Sequence, residues 1–228
     1  MELYLWGKSG GSGFSTLEGS VTWSTNTWYH VAVVRKGTTT YLFRDGILID
    51  SATESWTVPD FAAPLKIGYW HYSTDYPFKG YIDEFRISKG IARWTAAFTP
   101  PTRPYSYVNL NSNLNVAGYL EASNIDGKPD SYTKLLLHSD TTDGRGTFTD
   151  SSPSGHAITT GGDPTHETDT SKFGASSLYF DGSDYLSIPT DSSWTVGSND
   201  YSADMWIKTT DGVADLISAF HTDSPYHG

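Results

Sequence analysis

The chain is written in short apolar runs separated by polar turns. Trp28 to Arg35 reads WYHVAVVR, a β-branched and aromatic run in which only Ala32 favours helix, and Lys36-Gly37 ends it. Thr38 to Arg44 (TTTYLFR) follows, then Asp45-Gly46, then Ile47 to Ser51 (ILIDS). An Asp-Gly step between two strand-like runs predicts a tight hairpin. Leu65 to Tyr69 and Gly80 to Ile87 (GYIDEFRI) predict two more strands, the latter closed by Lys89-Gly90. Later strands are expected at Lys134 to His138 and at Ser202 to Lys208. Asp215 to Phe220 is another, and Ser176 to Ile188 should form two short strands about the turn Asp181-Gly182-Ser183-Asp184. Helical periodicity is confined to two turns at most, at Lys89 to Ala97.

Two stretches lack this rhythm. Residues 106–131 are rich in Asn and Ser without a sustained period and read as a linker; residues 139–172 are polar with frequent Gly and Asp. Short strands with turns every 8–12 residues predict an all-β sandwich, an antiparallel jelly roll of two sheets.

Composition agrees. Of 228 residues, 14% are aromatic, and 22 glycines and 11 prolines punctuate the chain. The absence of cysteine excludes a disulfide scaffold and a thiolate metal site. A net charge of −11 argues against nucleic acid and against anionic membrane surfaces. No apolar run approaches the ~20 residues of a membrane helix, so membrane insertion is not expected. The start, MELYLWGKSGG, has neither the basic opening nor the apolar stretch of a signal peptide.

Two sets of motifs go further. The first is WYHVAVVR, YLFRDG, LKIGYW and FKGYIDEFRISKGIARWTAAFTPP; the second is LLLHSD, FTDSSPSGH, SKFGASSLYFDGSDYLSIP and YSADMWIK. Together they resemble the laminin-G-like jelly rolls of the concanavalin A-like lectin/glucanase superfamily. In that family the second set opens a domain and the first closes it, so here the order is reversed. The expected organisation is a C-terminal half of a sandwich in residues 1–105, a linker in 106–131 and an N-terminal half in 132–228. Three arrangements fit: a segment of a tandem array, a permuted sandwich in which both halves pack together, or halves that complete neighbouring chains. The ends of the sequence, within strand-like or mid-domain runs, suit the first. Half a jelly roll leaves open edges and a bare apolar face. Contact between residues 81–87 and 178–186 distinguishes these arrangements.

The resemblance implies a binding module of the lectin kind, not an enzyme. Glucanase relatives carry Glu-x-Asp-x-x-Glu on one strand, which is absent here, and no Gly-x-Ser-x-Gly elbow occurs. Asp83-Glu84 are adjacent, so alternation should send them to opposite faces. No catalytic residue is assigned. Alternation places Asp83 on the apolar face with Phe85 and Ile87, where a carboxylate needs backbone amides, Arg86, Lys134 or a cation. The resemblance supplies calcium as that cation, a structural ion held by Asp83 with the region of Asp140 and the carbonyl of Gly182.

For sugar, the run Tyr69, Trp70, Tyr72, Asp75 and Tyr76 offers aromatic faces for C–H surfaces and a carboxylate for hydroxyls. Trp28 and Trp206 read as core, Trp94 as packing for a closing turn, and His30 as a satisfied structural residue. The histidines show no zinc spacing. The expected partners are a glycan or cell-surface receptor and other subunits of a surface or virion assembly. The expected setting is a virion tail or appendage, or the extracellular surface. The alternative is a spacer or decoration domain that contacts only protein.

Overall fold

The computed structural model describes residues 21–53, 64–68, 78–105 and 129–210, with the backbone of five short strands outside them. Four of these open the chain: β1 (Leu3–Leu5) pairs β4 (Leu17–Gly19), and β2 (Lys8–Ser9) pairs β3 (Ser12–Gly13). The first long run forms β5 (Tyr29–Lys36), β6 (Thr39–Arg44) and β7 (Ile47–Thr53). Asp45 and Gly46 join β6 to β7 with φ of 50° and 75°, the two left-handed residues of a tight hairpin turn. Next come β8 (Leu65–Ile67), β9 (Lys79–Lys89) and, beyond residue 128, β10 (Thr133–Leu137). The chain continues through β11 (Thr159–Gly161), β12 (Thr165–Glu167), β13 (Ser177–Asp181), β14 (Tyr185–Ile188), β15 (Tyr201–Thr209) and β16 (Ile217–Ser218).

Two antiparallel sheets make the body. The larger runs β12-β13-β9-β15-β5-β6-β7, with β10 also on β9; the smaller runs β11-β14-β8-β16. The turn at 181–184 therefore carries the chain from one sheet to the other. Strands early and late in sequence interleave: Ile82 pairs Leu178, Ala203 pairs both Val33 and Ile87, and Leu186 pairs Ile67. Residues 81–82 and 178–179 thus meet within one chain. No helix occurs among the described residues; Lys89 ends β9, and residues 91–94 have no regular structure. The polar stretch 139–172 holds two strands, β11 and β12, too short and too polar to show a period.

Between the sheets lies one apolar core. Val31, Leu42, Ile82, Phe85, Leu135, Leu178, Phe180 and Ile207 of the larger sheet meet Leu65, Ile67, Leu186 and Ile188 of the smaller. The other face of the larger sheet is covered too. Residues 91–105, which we term the strap, cross it and pack Ala92, Trp94 and Phe98 on Ala32, Val34 and Phe43. Burial on both faces explains why β5 reads as a nearly continuous apolar run. Trp94 stacks on Phe98 with centroids 4.1 Å apart. Phe98 N–H donates to the Gly46 carbonyl at 2.9 Å, which docks the strap on the β6–β7 turn.

Candidate functional site

The outer face of the larger sheet carries the polar chemistry. Its layout depends on a bulge in β9. Opposite Met205 the β9 register with β15 shifts, and Glu84 adopts φ 52°. At the same point β9 changes its other neighbour: residues 79–82 pair β13, and residues 85–88 pair β10. Ile82 and Phe85 therefore both face the core. Asp83 pairs across with Trp206 and faces outward, and Glu84 also reaches the strap. Two expectations change: Asp83 does not share the face of Phe85 and Ile87, and Asp83 and Glu84 do not point to opposite sides. The extra residue resets the alternation.

Beneath the strap is a buried ionic layer. Arg86 Nε and Nη2 donate to Asp204 Oδ1 and Oδ2 at 3.0 and 3.1 Å, a bidentate pair with both side chains almost wholly enclosed. The Tyr105 hydroxyl donates to Asp204 in a short hydrogen bond, and Tyr105 N–H donates to Glu84 Oε2 at 2.6 Å. Glu84 Oε1 also meets His138 Nδ1 at 2.8 Å. Arg93 donates to Ser88 Oγ, Asp130 and Thr133 Oγ1, fastening the start of the strap. Burial alone would raise the Asp204 pKa; the Arg86 guanidinium outweighs it and holds this carboxyl well below the usual range.

His30 is fully buried in this layer, with Nε2 3.6 Å from Asp204 Oδ2 and no hydrogen bond at either ring nitrogen. It stands edge-on to Trp94, Phe98 and Trp206 instead, so it is not the satisfied residue expected. Trp206 is buried, but on the strap side, and Trp28 is only half-buried, just before β5.

Asp83 lies further along the face. Its Oδ2 accepts from the amides of Lys172 and Phe173 at 2.9 and 3.0 Å. Burial, opposed by these amides and reinforced by the Glu84 charge, pushes its pKa up to about 7. Asp140 Oδ1 accepts from the Ala175 amide at 2.9 Å. Both carboxylates thus organise the 172–175 loop. Gly182 is elsewhere. The register pairs Asp181 with Lys79, four positions along β9 from Asp83 or about 13 Å, and Gly182 lies beyond that row. Two ligands of one calcium ion are at most about 5 Å apart. The three residues expected to share calcium are therefore not brought together, and among the described residues no group of three or more His, Asp or Glu is placed to hold a metal. Arg86 and Lys134, the other expected partners of Asp83, bind Asp204 and the Ser131 carbonyl.

The expected sugar residues Tyr69, Trp70, Tyr72, Asp75 and Tyr76 lie outside the described residues. A different row of side chains is present on the outer face. Thr165, Tyr179, Tyr81 and Lys208 stand abreast on β12, β13, β9 and β15. The two tyrosines are half-buried, with ring centroids 5.0 Å apart at 41°, and Lys208 Nζ is 5.5 Å from the Tyr81 ring. Lys208 Nζ also donates to Thr170 Oγ1 at 3.0 Å. Burial raises the pKa of both phenols; the other tyrosine and the carboxylates of Glu167 and Asp169 add to this at Tyr81, and Asp181 and Glu167 at Tyr179. Both hydroxyls thus stay protonated donors at neutral pH. Half of the row was legible: in SLYFD Tyr179 sits between Leu178 and Phe180, which face the core, so it must face outward, whereas alternation from Phe85 and Ile87 puts Tyr81 on the apolar face and only the bulge at Glu84 turns it outward.

Residues 2–94 match the laminin G family model of the Concanavalin A-like lectin/glucanases superfamily. The all-β body of two antiparallel sheets is the sandwich that this match implies. No curated protein and no solved structure matches the chain.

Proposed function

We propose that the chain is a non-catalytic, lectin-like recognition module of a virion appendage or secreted surface protein, and that it binds glycans through the row Tyr179, Tyr81 and Lys208. The observation that carries this reading is the row itself. Two aromatic rings, flanked by an ammonium and by the Thr165 hydroxyl, lie on one outer face of the sheet. Tyrosine rings present apolar faces to sugar C–H surfaces, while the hydroxyls and the ammonium bond to sugar oxygens. Asp83 and Glu84 are buried and engaged by amides and by His138, an arrangement suited to holding loops and not to attacking a substrate.

A glycan array probed with the intact protein tests the reading, followed by Tyr81→Ala and Tyr179→Ala. Selective binding that each variant weakens at least tenfold, about 1.4 kcal/mol, is the expected result. Loss of binding in Trp70→Ala, with both tyrosine variants unaffected, moves the site to the 69–76 run. Binding to no sugar at all leaves the spacer role as the better description.

A further inference from the structure

We propose that the two halves of the sandwich, residues 21–105 and 129–210, are exchangeable between copies: the seam along β8 and β9 accepts the later half of a second copy as readily as its own. The topology carries this. Among the described residues, every neighbour of β9 (β13, β10 and β15) comes from the later half, as do β14 on β8 and β15 on β5. Among the described residues, the earlier half alone retains only the β5-β6-β7 pairing in these sheets, and the later half only β11-β14 and β12-β13. Separated halves would bare Ile82, Phe85, Leu65 and Ile67 on one side, and Leu178, Phe180, Leu186 and Ile207 on the other, all now enclosed.

The charges across the seam are matched as at a protein interface. Arg86 meets Asp204, Arg93 meets Asp130 and Lys36 meets Asp200, each cation on the earlier half and each anion on the later. Glu84 with His138 adds a buried pair of the opposite sense. Such pairs fix register and partner more than they add affinity.

None of these contacts requires both halves to belong to one polypeptide. Residues 106–128 join the two halves in sequence. A closed monomer and an exchanged dimer therefore share the same contacts between the halves, and the chain concentration during folding decides between them. Dilute chains close on themselves, whereas concentrated chains that fold together exchange. An exchanged dimer then persists, because releasing it strips β9 of its neighbours on both edges.

The chain has no cysteine, so a pair of single substitutions reports the exchange cleanly. Tyr81 and Tyr179 are cross-strand partners, within the Cα span that a disulfide bridges. Tyr81→Cys and Tyr179→Cys chains are unfolded, mixed and refolded together over a range of concentrations, then analysed by size and by peptide mapping. The expected product is a dimer linked between positions 81 and 179. Its fraction should rise about tenfold per tenfold in concentration while it is small. Folded proteins mixed without unfolding should not form it. The double variant should close the same link within a monomer. No 81–179 link between copies at any concentration, while the double variant closes, overturns the proposal. A double variant that fails to close also overturns it, because the seam would then lack the pairing on which exchange rests. Sugar binding plays no part in the readout.

Discussion

Replacing Asp83 by Asn should stabilise the protein at alkaline pH and do little at acid pH. The carboxyl is 1% exposed, and burial pushes its pKa from 3.8 to about 7. Because the folded value exceeds the unfolded one, the fold favours the neutral form. Its stabilising effect is complete below about pH 4 and is lost as pH rises through about 7. At about 1.4 kcal/mol per pKa unit, the full difference corresponds to about 4 kcal/mol. Relaxation and water penetration reduce this, and a gain of about 1–3 kcal/mol for Asp83→Asn at pH 8.5 is expected. The substitution keeps an oxygen to accept from the Lys172 and Phe173 amides. Urea unfolding of both proteins at pH 5 and pH 8.5 provides the measurement. An Asn variant less stable than the parent at pH 8.5 would refute the reasoning, because it would mean that the charged carboxylate has a partner strong enough to outweigh its burial.

Three further outcomes follow from other parts of the molecule. Asp204→Asn leaves the Arg86 guanidinium buried without its counter-ion and should cost about 3–5 kcal/mol in denaturant unfolding; a loss under 1 kcal/mol would show that the pair is not enclosed. Since Arg86 holds the Asp204 pKa below its ordinary value, the stability from this pair is present above pH 4 and should fade only in stronger acid. Gly46→Ala would place a Cβ 1.8 Å from the Phe98 carbonyl oxygen at a φ of +75°; a loss of about 2–4 kcal/mol and faster proteolysis within 91–105 are expected, and unchanged protease resistance would contradict the docking of the strap there. Calcium and chelator should leave the melting midpoint unchanged; a calcium-dependent rise that Asp83→Asn abolishes would restore the metal reading of that residue.

The strands were legible because their patterns are strong. The Asp45-Gly46 turn, the apolar run of β5 and the outward tyrosine of β13 follow from alternation and turn chemistry. What alternation could not convey is the extra residue at Glu84. A strand pattern carries one phase, and GYIDEFRI carries two, with Ile82 and Phe85 on one side in spite of their spacing. The error propagated from fold to chemistry: it placed Asp83 on the wrong face and lent weight to a calcium set that the register pulls apart. The strap was also difficult to anticipate. Nothing local in Tyr105 signals that its hydroxyl will reach Asp204, 99 positions away. Such long pairings arise from topology, and reversed motif order hinted at the topology without fixing its register.

The placement of β9 also bears on how the chain comes to be folded. Arg86 must wait for Asp204, 118 positions later, and strands with such distant partners pair slowly. On a ribosome, the interval between making β9 and making β15 is on the order of ten seconds. During that time GYIDEFRI is an apolar strand with two bare edges, the kind of segment that seeds aggregation. Asp83, Glu84 and Arg86 place three charges at its centre. Charges at the centre of an apolar strand disfavour wrong neighbours while it is unpaired, and the finished fold then encloses them, Glu84 and Arg86 under the strap and Asp83 against the 172–175 loop.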